Sequence, residues 1–348
     1  MKKLTLVIAL LYAGVCLGQA QTTVKIDQYI QGLMQKQGIP GVSLAVIKDN
    51  KVLHKKNYGY ANLEHQVPVT AQSIYRVYSL TKLIVSVGIF QLIEKRKLSL
   101  EDKVSQYVSH LPKEWQSIQI KHLLSHSSGI PDMAPIPSFK DLTEQQAKEK
   151  VFAQECKFTP GERYDYNQTG FWLLKQVIEK ITNDRLSSWI MKHQFGSTSD
   201  TAFFSSDSRD IVRHRVTPYF PFTKRTLTID HSYLQGDYAH AQNGLNISLA
   251  EFIRWDHLLR NNKLLKKKSR NLMWQNYPYS QSSKVFTYGW DKHFVDGRTS
   301  YGFSGSLVTA YRIFPTKNVS IILLSNGLTK FYNIEQAMNA IATLVMLD

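Results

Sequence analysis

The reading turns on Ser73-Ile74-Tyr75-Arg76-Val77-Tyr78-Ser79-Leu80-Thr81-Lys82. From Thr81 to Lys95 the chain carries Val85, Ile89, Leu92 and Ile93 on one helical face. Ser79 therefore stands at the start of a helix, and Lys82 lies nearly one turn on, over the same face. A serine hydroxyl is a poor nucleophile until a base takes its proton. A lysine amine is such a base only when neutral, which requires burial or a nearby cation. Lys82 shares its face with Val85 and Ile89, so burial is expected. The positive end of the helix dipole favours negative charge developing at Ser79. A serine that merely caps a helix gives the same four letters, so the tetrapeptide alone leaves both readings open.

Working outward, Val24 to Gln37 is predicted as a helix, with Ile26, Tyr29, Ile30 and Leu33 at helical spacing. Gly38 and Pro40 stop it. Gly41 to Lys48 and Lys51 to Tyr60 read as a hairpin around Asp49-Asn50. Past Ser79 the pattern is mostly helical, with helices predicted over Ile120 to Leu124, Gly170 to Ile181 and Leu249 to Asn261. Strand composition returns at Val285 to Phe294, Leu307 to Phe314 and Val319 to Ser325, and Asn333 to Leu347 closes as an apolar-faced helix. This predicts an α/β chain of the α+β type: one discontinuous domain over 21–348. Its sheet is assembled from about 21–70 and 280–348, with a helical part of about 71–279 inserted.

The 348 residues suffice for a large core. Residues 1–20 read as a signal peptide: Lys2 and Lys3, an apolar run Leu4 to Val15, then Gly18-Gln19-Ala20 with cleavage after Ala20. A lipoprotein acylated at Cys16 is the rival reading. No later run is long and apolar enough to span a bilayer. The expected location is periplasmic or secreted. Cys156 would then be the one cysteine left, which excludes an internal disulfide and points to an inert thiol. The formal charge of +16 suits anionic partners such as cell-wall polymers. A leader argues against nucleic acid, and Lys266-Lys267-Lys268 reads as a solvated helix end.

Four further segments accompany the first. They are Ile118-Gln119-Ile120-Lys121-His122-Leu123-Leu124-Ser125-His126-Ser127-Ser128-Gly129-Ile130-Pro131-Asp132, Phe158-Thr159-Pro160-Gly161-Glu162-Arg163-Tyr164-Asp165-Tyr166, Gly244-Leu245-Asn246-Ile247-Ser248-Leu249-Ala250-Glu251-Phe252, and Tyr288-Gly289-Trp290. In this order, and over most of the chain, the set resembles the serine β-lactamase and penicillin-binding-protein family. The branch it is most similar to holds class C β-lactamases, D-amino-acid peptidases and related esterases. The resemblance implies a β-lactamase/transpeptidase-like fold, an antiparallel sheet flanked by helices with an inserted helical subdomain, and no cofactor.

The resemblance also implies the site. Ser79 would be the nucleophile and Lys82 its base. Tyr166, first residue of Tyr166-Asn167-Gln168, would shuttle the proton. Gln168 stands where the family has Asn, with the same amide chemistry on a longer arm. Phe303-Ser304-Gly305 aligns with a motif that usually opens with Lys or His, and the amides of Ser79 and Ser306 would form the oxyanion hole. Phe303 cannot bind a substrate carboxylate. The expected substrate is thus a small ester or neutral amide. A D-Ala-D-Ala peptide or a β-lactam is the alternative, and a non-catalytic binder of cell-wall fragments is a third reading. His122 and His126 sit four apart, but no third metal ligand follows, so no metal is expected. Specificity is expected in the loops Pro131 to Ala147 and Ser205 to Ala239.

Overall fold

The computed structural model describes residues 2–136, 142–196, 200–207, 209–223, 226–229, 236–329 and 332–346, with side chains from residue 20 onward except at 221–223 and 226. Parts of both expected specificity loops, 137–141, 208, 224–225 and 230–235, lie outside the described residues.

The chain opens with α1 (Lys2–Gln37), β1 (Gly41–Lys48), β2 (Lys51–Asn62), β3 (Val67–Pro68) and β4 (Ile74–Arg76). There follow α2 (Thr81–Glu94), α3 (Ile120–Leu124), α4 (Glu144–Phe152), α5 (Gln168–Thr182) and α6 (Leu186–Ile190). Next come β5 (Ala202–Phe204), β6 (Tyr219–Thr223), β7 (Thr226–Ile229), α7 (His240–Asn243), β8 (Leu245–Ser248), α8 (Leu249–Arg260) and α9 (Lys267–Met273). The last part is β9 (Asp291–Val295), β10 (Arg298–Gly305), β11 (Thr309–Phe314), β12 (Val319–Ser325) and α10 (Ile334–Met346). No helix among the described residues is long and apolar enough to cross a membrane.

The main sheet has seven strands in the order β3-β2-β1-β12-β11-β10-β9. Its pairs are antiparallel, and β1 joins β12 with Val42 opposite Ser325 and Leu44 opposite Leu323. The two ends of the chain thus meet in the middle of one sheet. Side chains alternate across it with period two. Leu44, Val46, Ile321 and Leu323 pack with Ile30 of α1 and Ile341 of α10. Ala45, Ile47, Ile322 and Leu324 face the opposite core with Phe252 and Trp255 of α8. Each fully buried Leu or Ile contributes about 1.5–3 kcal/mol, which explains why apolar residues dominate β1 and β12.

α2 runs through the second core with Thr81 to Leu92 all buried. A helix covered on every side needs no amphipathic stripe, and the single apolar face read from its sequence is only part of what it buries. Two strand boundaries differ from expectation for backbone reasons. The strand predicted from Val285 starts at Asp291, because Gly289 takes φ 88° and turns the chain. The strand predicted from Leu307 starts at Thr309, because Ser306 and Leu307 lie at φ 47° and 61°. The sequence also leaves unannounced a three-stranded sheet, β4-β8-β5, inside the mostly helical region. Through it Val77 N donates to Leu245 O at 3.0 Å and Leu245 N to Thr81 Oγ1 at 3.1 Å, clamping the chain on both sides of Ser79.

Candidate active site

Ser79 sits in a single tight turn, Tyr78–Leu80, that leads into α2. Tyr78 just before it holds φ 49°, a left-handed conformation that costs a bulky residue about 1–2 kcal/mol. The surroundings enforce it. Val77 is gripped by β8, and its carbonyl also accepts from Thr309 Oγ1 at 3.0 Å. Ser79 is half-buried.

Lys82 is 1% exposed. Its Nζ lies 3.4 Å from Ser79 Oγ, 2.8 Å from Gln168 Oε1 and 2.8 Å from the Gln242 carbonyl oxygen. Burial drives its pKa down to about 7, against the opposing pull of Asp132. A neutral amine has two N–H donors and one lone pair. With both donors satisfied by the Gln168 and Gln242 oxygens, the lone pair is left for the Ser79 hydroxyl.

Tyr166 Oη lies 2.7 Å from Ser79 Oγ. Burial raises its pKa to about 12, although its bonds to Ser79 and Gln168 pull the other way. At neutral pH it is a phenol. Its ring is held at 4.7 Å by His126 and at 6.0 Å, nearly parallel, by Phe303. His126 is itself fixed, its Nδ1 accepting from Asn167 N at 3.1 Å, and burial keeps it neutral.

The residue after Tyr166 explains why Gln168 faces the lysine. Asn167 is the N-cap of α5: its Oδ1 accepts from Gly170 N at 2.8 Å and its Nδ2 donates to Ile130 O at 2.9 Å. That amide is spent on structure. Gln168, the first helical residue, is steered toward the lysine by its backbone N–H, which donates to Asp132 Oδ1 at 2.9 Å.

β10 forms the opposite wall. Phe303 pairs with Tyr311 of β11 and meets Phe286 edge-on at 6.2 Å. Ser304 is half-exposed, and Ser306 is exposed in the turn that follows. Gly305 lies against the nucleophile: a Cβ there would stand 2.2 Å from Val77 O and 3.1 Å from Ser79 N. The structure thus gathers Ser79, Lys82, Tyr166 and Gln168 by hydrogen bonds, Phe303 by ring stacking and Gly305 by backbone approach. Ser304 and Ser306 flank them.

Three participants escaped the sequence reading: Asp132, His126 in its role behind Tyr166, and Gln242. Gln242 takes part through its main chain, which residue type cannot signal. His122 accepts from Gln119 N at 3.1 Å, and no group of three or more His, Cys, Asp or Glu is placed to hold a metal among the described residues. Cys156 is half-buried, and burial raises its thiol pKa.

Comparison with known proteins bears on the family and the fold. Residues 26–344 match the family model described as Beta-lactamase. Protein flp of Staphylococcus aureus (strain MW2) is 30% identical over 178 residues, 49% of this chain but 35% of that protein, so the match spans about a third of that relative's length. PbpX of Bacillus subtilis (strain 168) is 26% identical over 93% of this chain and 79% of its own. The D-amino acid amidase of Ochrobactrum anthropi SV3 superposes with a TM-score of 0.79 at 17% identity, over 93% of this chain and 99% of that one. With the fold, the family match and the serine–lysine–tyrosine cluster in hand, the chain belongs to the Beta-lactamase family of serine hydrolases.

Proposed function

We propose that the protein hydrolyses small esters or amides with an uncharged leaving group, through an acyl-enzyme on Ser79. The reading rests chiefly on Phe303 stacked 6.0 Å from Tyr166, an aromatic wall where a cation would be needed to recognise a leaving-group carboxylate. The D-amino acid amidase among the structural neighbours is consistent with amide substrates.

In the proposed mechanism, Ser79 Oγ attacks the carbonyl carbon while its proton passes to Lys82. A phenol with a pKa of about 12 is a poor base at neutral pH, whereas an amine near 7 is half available. The amides of Ser79 and Ser306 hold the oxyanion. The tetrahedral adduct collapses, and the leaving group takes the Tyr166 proton, which Lys82 restores through the Ser79 oxygen. Water, deprotonated by the same pair, then releases the acid and frees Ser79.

Intact-protein mass spectrometry with a fluorophosphonate probe tests the nucleophile. One adduct, absent in Ser79→Ala, is expected. A folded protein that takes no adduct would defeat the reading in favour of a non-catalytic binder. Comparing p-nitrophenyl esters, a chromogenic cephalosporin and a D-Ala-D-Ala peptide then tests the substrate class: faster turnover of either of the last two would reverse the preference proposed.

A further inference from the structure

α2 and α8 end in the same kind of turn, and the two turns bring their basic residues to one face. At the end of α2, Arg96 N donates to Ile93 O at 2.9 Å and Lys97 N to Leu92 O at 3.0 Å. At the end of α8, Asn262 N donates to Leu259 O at 3.3 Å and Lys263 N to Leu258 O at 2.8 Å. The segment after α8 is fastened to α2 by two bonds. Gln91 Nε2 donates to Leu264 O at 3.2 Å, and Lys266 N to Glu94 Oε1 at 2.7 Å. Lys95, Arg96 and Lys97 thus lie beside Lys263, Lys266, Lys267 and Lys268, and all of them are exposed.

Among the described residues none of these cations belongs to an ion pair. Lys95 Nζ lies over the Trp189 ring at 5.8 Å. Glu94 is tied into the face, its Oε1 held by a main-chain N–H. Helix stability accounts for only part of this arrangement. The carboxyl end of α2 favours cations, which suits Lys95 and Lys97. The turn after a helix, however, puts one residue in the left-handed region, where Gly or Asn is favoured. Asn262 holds that place after α8 with φ 57°, but Arg96 holds it after α2 with φ 56°. Lys266, Lys267 and Lys268 open α9, the end of a helix at which cations are disfavoured. An arginine kept at a strained position, beside lysines at the wrong end of a helix, points to use rather than packing.

We propose that this face docks a linear phosphate polymer other than a nucleic acid. Lysine ammonium groups on flexible stems suit a partner that offers many equivalent charges, whereas planar bidentate recognition favours arginine. No large apolar side chain of residues 91–98 or 261–268 is exposed, so the face has no wedge to sink into a lipid surface. Trp189 beneath Lys95 is only 5% exposed, too covered to stack on a base. α2 is 14 residues long, so the face lies about 20 Å from Ser79. A polymer bound there holds the protein in place without entering the site, and the proposal stands apart from the reaction at Ser79.

Calorimetric titration of the full chain with inorganic polyphosphate tests it. Saturable binding that weakens as salt rises is expected, since the polymer sheds counterions on docking. Lys95→Gln/Lys97→Gln and Lys267→Gln/Lys268→Gln should each weaken binding by about fivefold or more. Lys25→Gln/Lys36→Gln removes the same charge from α1, on the other side of the sheet, and should change it by less than about twofold. Arg96→Gly should melt higher than wild type and bind more weakly. No binding by wild type overturns the proposal. So does equal weakening in the α1 pair, which would reduce the effect to net charge. Tighter binding, per phosphate, to phosphatidylglycerol vesicles or to oligothymidylate overturns the choice of partner. An Arg96→Gly protein that melts lower would assign Arg96 to stability and overturn its part in docking. Hydrolysis of p-nitrophenyl acetate without polymer should be the same in every variant, so loss of docking and loss of turnover are read separately.

Discussion

The hydroxyl oxygens of Tyr166 and Ser79 stand 2.7 Å apart, closer than the 3.4 Å that separates Lys82 Nζ from the same serine. The nearer group keeps its proton at neutral pH, so proximity here serves proton delivery. Tyr166→Phe keeps the ring against His126 and Phe303 while removing the proton. Its kcat on alkyl esters should drop by about 10²–10⁴-fold. On p-nitrophenyl esters, whose leaving group needs no proton, the loss should be much smaller. Equal losses on both series would place Tyr166 in proton abstraction.

Lys82 sets the acid limb of activity. With its pKa held near 7 by burial, kcat/KM on a neutral ester should rise through that pH and level off above it. Lys82→Met should remove most of the activity and the limb with it.

Stability rises with pH as well, over a higher window. The lysine titrates near 7 when folded and at its ordinary 10.5 when unfolded. Below about 7 both states hold the proton, and the fold bears the whole cost of a buried charge. Between those values only the unfolded chain stays protonated, so wild-type stability rises with pH. At about pH 6, Lys82→Met should therefore be more stable than wild type by roughly 2–4 kcal/mol. That advantage should shrink as pH climbs from 7 toward 10.5, and urea titrations at several pH values would detect it.

How much was legible before the structure varies with the kind of signal. The bounds of β1, α3 and β12 coincide with those predicted, because each is a compact apolar run closed by a turn or cap. β10 was not named among the predicted strands. Arg298-Thr299-Ser300-Tyr301-Gly302-Phe303-Ser304-Gly305 lacks the apolar alternation of a strand, since Gly302 and Gly305 are there for close backbone approach. β4, β5 and β8 are three or four residues long, below the length at which periodicity registers. At the site, spacing left Ser79 and Lys82 open to a plain helix-cap reading, and resemblance singled them out together with Tyr166, Gln168 and Phe303. Asp132 was not, because its bond to the Gln168 N–H and its pull on Lys82 come from a contact between distant segments that no spacing rule encodes.

Phe303 offers a test of the apolar wall. A half-exposed position on a strand tolerates a longer side chain, so Phe303→Lys should fold. Its ammonium would approach Tyr166 and favour the phenolate. The alkaline limb of kcat, where Tyr166 loses its proton, should then move to lower pH than in wild type. An unmoved limb would mean that the side chain at 303 does not act on Tyr166.

Gly305 shows how tightly the site depends on backbone contact. A Cβ at this position would lie 2.2 Å from Val77 O, 2.6 Å from Thr309 Oγ1 and 3.1 Å from Ser79 N. The threonine hydroxyl can rotate away only by giving up its bond to Val77 O, and the carbonyl can move only by shifting the segment that holds Ser79. Gly305→Ala should cost about 1–3 kcal/mol and lower fluorophosphonate labelling of Ser79 by far more than that loss of stability explains. Gly297 is the matched control. It has φ 73° but open space around its Cβ position, so Gly297→Ala meets backbone strain without a clash. Its cost should be about 1 kcal/mol, with labelling unchanged. Melting temperatures paired with labelling rates separate the cases. If both variants lose stability and both keep their labelling rate, the approach of β10 to Ser79 is structural and has no part in placing the nucleophile.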